Sequence, residues 1–211
     1  MKDEEKLANF LFEIGSLRKI NRAHRQTLLT NDDSDNIASH SYRVAVISIF
    51  LAQMEQVDVG RVVLMALSHD WPETRSGDHN WVHKRHVAIN TLEIIQAQAQ
   101  TYSFPSLTTT IEEYEKRQSR ESMVAKDADT LDQLLLLKEY EWQGNKEATL
   151  WLTGKSKKRP YAWLERLHLE SSKQLGRSIY DTNPSDWWKN IYTTTNLSFD
   201  KPIDTDEQSP I

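Results

Sequence analysis

Apolar side chains recur every three or four residues along almost the whole chain, and very little of it shows the alternation of a β-strand. This spacing places apolar side chains on one face of a helix and therefore predicts an all-α fold. The first such stripe lies in residues 3–18 and consists of Leu7, Phe10, Leu11, Ile14 and Leu17. Residues 58–69 are apolar on nearly all sides, which is typical of a helix buried at the centre of a bundle.

Further helical patterns complete a bundle of roughly seven or eight helices. They cover about residues 37–55, 84–100, 108–117 and 119–140, and a last one follows the basic loop at 153–160 and runs through about 176. The chain contains neither an internal repeat nor a domain linker, so we expect a single helical domain over residues 1–199. Residues 200–211 are rich in Asp, Pro and Ser, which predicts a disordered tail.

Composition excludes several classes of function. The 211 residues include no cysteine, so disulfides and thiolate ligands are excluded, and a metal would have to rely on imidazole and carboxylate groups. The formal net charge of -5 argues against a protein that coats a nucleic-acid polymer. No apolar run approaches the roughly 20 residues that span a bilayer, and the acidic start MKDEEKLANF lacks the features of a secretory signal. We therefore expect a cytoplasmic protein with no membrane partner.

A histidine and an aspartate stand side by side at the end of the most hydrophobic helix. His69 and Asp70 are costly to bury there unless a partner compensates them. A bound cation does so, because it neutralises the carboxylate and takes the lone pair of the imidazole. His40 opens a second predicted helix, and Asp129 precedes the leucine-rich run of a third. Without a metal, the pair would be a capped helix end, and Asp129 an acid favoured by the helix dipole.

The order His, His-Asp, Asp over three helices resembles the HD phosphohydrolases, in particular the compact branch that contains bacterial 5'-deoxynucleotidases. The matching segments, within residues 37–145, are ASHSYRVAV, LMALSHDWPETRSGDHN, IEEYE and VAKDADTLDQLLLLKEYE. The resemblance implies an HD-type helical domain in which one divalent metal ion is held by His40, His69, Asp70 and Asp129. Two imidazoles and two carboxylates suit Mn, Co, Fe, Ni, Mg or Zn, and the sequence does not select among them.

The same resemblance implies roles for three further residues. Glu73 and Asp78 match residues that assist catalysis and help to place the attacking water, and Arg22 matches an arginine that binds phosphate. The spacing agrees for Glu73, which follows Asp70 by three residues, so that both can face one pocket. The residues alone also allow Glu73 to be a solvated acid and Asp78 to be the N-cap of the next helix.

Two positions depart from the relatives. Ala23 stands where the deoxynucleotidases carry an aromatic residue, so their substrate selectivity need not apply to this chain. Ser39 precedes His40 where many relatives have an acid, so the group that supports this histidine can differ here.

A basic cluster follows the GDHN segment. Lys84 and Arg85, beside His83 and His86, either bind phosphates of the substrate or form the solvated start of a helix. The two histidines, together with His79, are also candidate ligands for a second ion, as in the oxygen-dependent HD enzymes with two irons.

The predicted function is metal-dependent hydrolysis of a phosphate ester, with a nucleotide as the small-molecule substrate. The resemblance favours a 5'-deoxynucleotidase-like reaction that releases a nucleoside and phosphate. The alternatives are a nucleoside triphosphate phosphohydrolase of the same superfamily, a di-iron HD oxygenase and a metal-stabilised nucleotide-binding module without turnover. By analogy with members of the family that pair, we expect a homodimer.

Overall fold

The computed structural model describes residues 2–154 and 159–189, and within these ranges the chain forms helices and no strand. Helices of eight or more residues are α1 (Asp3–Gly15), α3 (Ile37–Glu55), α4 (Val59–Ser68), α7 (Thr91–Thr101), α8 (Ser106–Lys116), α9 (Arg120–Trp142), α10 (Lys146–Thr153) and α11 (Glu170–Asp181). Shorter α-helices are α2 (Arg25–Leu28), α5 (Glu73–Ser76), α6 (Trp81–His86) and α12 (Asp186–Lys189), and 3-10 helices lie at Ser16–Lys19 and Ala162–Arg166.

The all-α prediction is confirmed. Over the described ranges, the eight longer helices match the predicted number, and the short ones raise the α-helices to twelve. The predicted tail at 200–211 and residues 155–158 of the basic loop lie outside the described residues. No helix in the described part of the chain is long and apolar enough to cross a membrane.

Helix α9 forms the centre of the bundle and packs against α3, α4, α8, α10 and α11. Its fully buried apolar side chains include Val124, Ala128, Leu131 and Leu137. Helix α4 is less enclosed than its sequence suggests. It buries Val62, Met65 and Ala66, but Leu64 and Leu67 are 37% and 39% exposed.

Side-chain caps set where the central helices begin. The side-chain oxygen of Asn36 accepts from the Ser39 N–H at 3.0 Å, and Asp58 accepts from the Arg61 N–H at 3.0 Å. Each cap satisfies a backbone donor that has no partner inside its helix. These caps explain why α3 and α4 begin close to the predicted residues.

The helix predicted at 84–100 is wrong, because two helices occupy this stretch. The chain leaves the helical conformation at Val87, and α7 begins after Asn90. The side chain of Asn90 accepts from the Glu93 N–H at 3.2 Å and so starts a new helix.

The helix predicted after the basic loop is also divided, into the 3-10 helix at Ala162–Arg166 and α11. The interruption is held by Asp127 of α9, whose carboxylate is fully buried. It accepts hydrogen bonds from the N–H groups of His168 and Leu169 at 2.9–3.0 Å.

A partly buried carboxylate, that of Glu13, ties α1 to the segments around α5 and α7. Burial alone would raise the pKa of Glu13, but hydrogen bonds, first that of Arg75, lower it to about 2. The donors to Glu13 are Thr74, Arg75, Gln98 and Tyr102. One side chain therefore joins three parts of the fold.

Glu13→Gln is expected to lower the free energy of unfolding by about 2 kcal/mol at pH 7, because hydrogen bonds to a charged group are lost. The lowered pKa means that this contribution is present above about pH 4.5, the ordinary value, and is lost as the pH falls towards 2. Urea unfolding at several pH values measures both effects. Glu115→Gln, at a side chain 56% exposed, is the control. Equal stability of the Glu13 variant and the wild type at pH 7 would contradict the prediction.

Candidate metal centre

The four residues predicted to hold a metal meet between α3, α4 and α9. His40, His69 and Asp129 each offer a ligand atom, and these atoms all lie within 4.8 Å of one another. Asp70 Oδ2 lies 3.4 Å from His40 Nε2 and 3.3 Å from His69 Nε2. Asp129 Oδ1 lies 3.3 Å from His40 Nε2 and 4.0 Å from His69 Nε2. We refer to these four residues as the His/Asp cluster.

The two adjacent residues of the cluster lie where the regular part of α4 ends. The His69 N–H still bonds to the carbonyl of Met65, as in an α-helix, but the Trp71 N–H bonds to the carbonyl of Ser68 three residues back. The Glu73 N–H likewise bonds to the carbonyl of Asp70. His69 and Asp70 thus lie at the point where the bonding of the α-helix gives way to turns that bond three residues back.

Both imidazole rings are held with Nε2 towards the cluster. His40 Nδ1 pairs with Asp132 Oδ2 at 2.6 Å, and His69 Nδ1 lies 2.9 Å from the carbonyl oxygen of Ala66. An acceptor at Nδ1 favours the tautomer whose Nε2 lone pair is available to a metal. Both Nε2 atoms are buried, and neither has a hydrogen-bond partner among the described residues. The cluster therefore fits a divalent cation.

The charges of the cluster agree with this fit. Burial alone would raise the pKa of Asp129, but the positive charge of Lys126 and the neighbouring histidines hold it well below its ordinary value. Lys126 Nζ and Tyr114 Oη donate to Asp129 Oδ2 at 2.7 and 3.1 Å. Asp129 is consequently anionic at neutral pH, and its other oxygen, Oδ1, faces His40.

Glu73 belongs to the same electrostatic environment. Burial and the negative charges of Asp70 and Asp78 raise the pKa of Glu73 to about 10. Its Oε2 atom is buried and has no hydrogen-bond partner among the described residues. Glu73 is therefore not a solvated surface acid.

Asp78 connects the loop after α5 to the segment that carries Arg22. Its Oδ2 atom accepts from the Ala23 N–H at 2.6 Å and lies 3.6 Å from Arg22 Nε. The preceding Gly77 has a φ of 73°, a conformation that other residues rarely adopt. The N-cap of α6 is Asn80, whose side chain accepts from Val82 and His83 N–H groups. Asp78 is therefore not the N-cap of α6, although its position in the sequence allows that role.

A cleft of about 380 Å³ opens beside the cluster. Its lining includes Asp129 from the cluster, together with Arg22, Asp78 and Lys84. Arg85 is not part of the lining, although it follows Lys84 directly. Among the predicted phosphate-binding residues, the structure therefore brings Arg22 and Lys84 to the cleft.

Sequence reasoning missed the residues that support the cluster, Lys126, Asp132 and Tyr114. A signal was present, because Asp132 follows Asp129 by three residues and so lies on nearly the same helix face. Asp132 also answers the question raised by Ser39. The carboxylate that orients His40 comes from α9 and not from the residue before the histidine.

The histidines considered for a second ion lie elsewhere. The rings of His79 and His83 are 5.5 Å apart, and His79 Nδ1 lies 3.1 Å from the carbonyl oxygen of Gly77. In the described part of the chain, neither they nor His86 belong to a group of three metal-binding side chains.

Solved structures share this fold. A conserved hypothetical protein from Pyrococcus furiosus is 23% identical with a TM-score of 0.65, and the match covers 83% of this chain and 99% of that one. A predicted metal-dependent phosphohydrolase from Magnetospirillum magnetotacticum is 25% identical with a TM-score of 0.60, over 84% and 90% of the two chains. The HD phosphohydrolase DatZ of cyanophage S-2L, bound to dA and one catalytic Zn2+ ion, is 22% identical with a TM-score of 0.50, over 81% and 96%.

No curated protein matches the sequence. The profile of the HD-domain family, however, matches residues 14–167, which include the whole His/Asp cluster, Glu73 and Asp78. This stretch is well over half of the 211 residues. The chain therefore belongs to the HD-domain family.

Proposed function

We propose that this protein is a metal-dependent phosphohydrolase that acts on a nucleotide. The observation that carries the proposal is the pair of buried, unpartnered Nε2 atoms of His40 and His69, which face two carboxylates beside a cleft lined by cationic groups. A cation at this point compensates the buried carboxylates, and an anionic substrate matches the cleft.

The comparisons support this assignment. The protein from Magnetospirillum magnetotacticum carries the name of a metal-dependent phosphohydrolase, and the cyanophage protein holds dA and a catalytic zinc ion. Both share the fold of this chain. The deoxynucleoside in the cyanophage structure agrees with the deoxynucleotide expected from the sequence.

The reaction would be attack of water on phosphorus with loss of the ester oxygen. The cluster would hold the divalent ion, which supplies Lewis-acid activation of water and of a phosphoryl oxygen. Arg22 and Lys84 would bind the phosphoryl oxygens, since guanidinium and ammonium groups offset the charge that develops there. Asp78 would orient the attacking water, and Glu73 would hold a proton for the leaving oxygen.

Phosphate release from a panel of nucleotides tests the function directly. The panel contains ribo- and deoxynucleoside mono-, di- and triphosphates, with Mn, Co, Mg or Zn added to metal-stripped protein. We expect phosphate release from at least one of these nucleotides with at least one metal, and release from deoxynucleoside monophosphates alone would place the enzyme with the 5'-deoxynucleotidases. Preference for triphosphates would favour the second candidate, to which the cations of the cleft also point. Absence of release with every metal would contradict the proposed function.

His69→Ala and Asp70→Ala are each expected to lose metal and activity together, because each removes a ligand from a buried site. Metal content by elemental analysis and phosphate release measure the two losses. His86→Ala, at an exposed histidine outside the cluster, is the matched control and should retain both. Full activity at full metal occupancy in either cluster variant would overturn the assignment.

Glu73→Gln is expected to lower kcat by about 100-fold or more while metal stays bound, because the amide keeps the shape of the side chain but cannot transfer a proton. Metal content is measured alongside kcat. Unchanged kcat would exclude Glu73 from proton transfer. A nucleotide-binding module would differ from the outset, since its wild type would bind nucleotide without turnover.

Lys84→Gln is expected to raise the KM of the nucleotide by about tenfold, because one charge-assisted contact with phosphate is lost. Arg85→Gln removes the neighbouring charge outside the cleft and is expected to change KM less than about twofold. Steady-state kinetics compares the two variants. Equal effects of both would show that overall charge, and not a contact in the cleft, governs binding.

A further inference from the structure

Arg166 is held on the wall of the cleft by aromatic rings. Its guanidinium carbon lies 4.5 Å from the ring centroid of Trp163 and 5.0 Å from that of Trp81. Trp81 in turn stacks on Trp151, with centroids 4.7 Å apart and planes at 11°. All four of these side chains line the cleft that contains Asp129.

This packing leaves the hydrogen-bond donors of Arg166 available. A guanidinium that rests on an aromatic ring uses the face of its plane, whereas its five N–H groups point outward in that plane. No carboxylate of the described residues lies within ion-pair distance of Arg166, and the adjacent Glu165 pairs with Arg159. Arg166 is exposed, but its guanidinium rests on two rings and has no anionic partner in that part of the chain.

The cleft carries an excess of positive charge in an acidic protein. Its lining includes five cationic side chains, those of Arg22, Lys84, Arg117, Lys126 and Arg166, against the carboxylates of Asp78 and Asp129. The whole chain has a formal net charge of -5. Concentration of cations in one concave site attracts a small ligand with more than one negative charge.

We propose that Arg166, fixed between Trp81 and Trp163, forms a second anion subsite that binds an additional phosphate group of the substrate. In this proposal the phosphate that is cleaved lies beside Asp129 and Arg22, which line the same cleft as Arg166. A substrate with two or more phosphates uses both ends, so the subsite sets the number of phosphates that the enzyme prefers. This inference rests on the proposed phosphohydrolase function and selects the substrate class within it.

Binding of inorganic tripolyphosphate and of inorganic phosphate to metal-stripped protein, measured by calorimetry, tests the subsite without turnover. We expect tripolyphosphate to bind wild type more tightly than phosphate. Arg166→Gln should weaken tripolyphosphate binding by about tenfold or more, and Arg166→Lys by less, since lysine keeps the charge but loses the planar donors. The control is Arg177→Gln, an exposed arginine outside the cleft, which should bind as wild type does.

Tripolyphosphate binding that changes less than twofold in Arg166→Gln would overturn the subsite, as would equal affinity of wild type for the two anions. Thermal unfolding shows whether the variant is folded, and Arg166→Lys provides the same comparison if it is not. The two proposals fail separately. Arg166-dependent binding in a protein that releases no phosphate from any nucleotide would retain the subsite and reject the hydrolase. Turnover of a nucleotide, together with tripolyphosphate binding that does not depend on Arg166, would retain the hydrolase and reject the subsite.

Discussion

Helix α9 brings three aspartates into the interior, and the structure depends on how each charge is compensated, because a buried carboxylate without a partner is unstable. Helical geometry assigns the partners. Asp129 and Asp132 are three residues apart and so lie within about 60° of each other around the helix, which lets both reach His40. Asp127 lies about 160° from Asp129 and instead accepts from His168, where it fixes the start of α11. About one and a half turns of helix therefore support both the cluster and the packing of a distant segment.

The groups that orient the two histidines of the cluster belong to the packed helices themselves. Asp132 occupies Nδ1 of His40 and the Ala66 carbonyl faces Nδ1 of His69, so both rings present Nε2 to the same point. Each buried, unpaired nitrogen costs about 1–3 kcal/mol, and the nearby carboxylates repel each other. A divalent cation removes both costs at once. Metal binding and stability should accordingly be coupled, because the cluster joins α3, α9 and the end of α4, which pack against one another.

Much of this arrangement could be predicted from the sequence. The spacing of apolar residues gave the longer helices, and the ordered motif brought together His40, His69, Asp70 and Asp129. The predictions failed at one local helix boundary and at contacts between residues that are distant in the sequence. Asn90 restarts a helix where the apolar pattern continues, since a side-chain cap competes with helix extension. The partners of the α9 aspartates could not be assigned either, because three acids within six residues look alike until the neighbouring helices are in place.

Arg166 illustrates the same limit at the cleft. Its sequence neighbours, Glu165 and Leu167, give no sign of a ligand site. The contact that holds its guanidinium at the cleft comes in part from Trp81, which lies 85 positions earlier in the chain. The indoles restrict the guanidinium, so less conformational entropy is lost when an anion binds. An exposed arginine that rests on no ring would lose more. The acidic surface and the cationic cleft thus act in the same direction, because repulsion of polyanions elsewhere leaves the cleft as the place where a small, multiply charged ligand is stabilised.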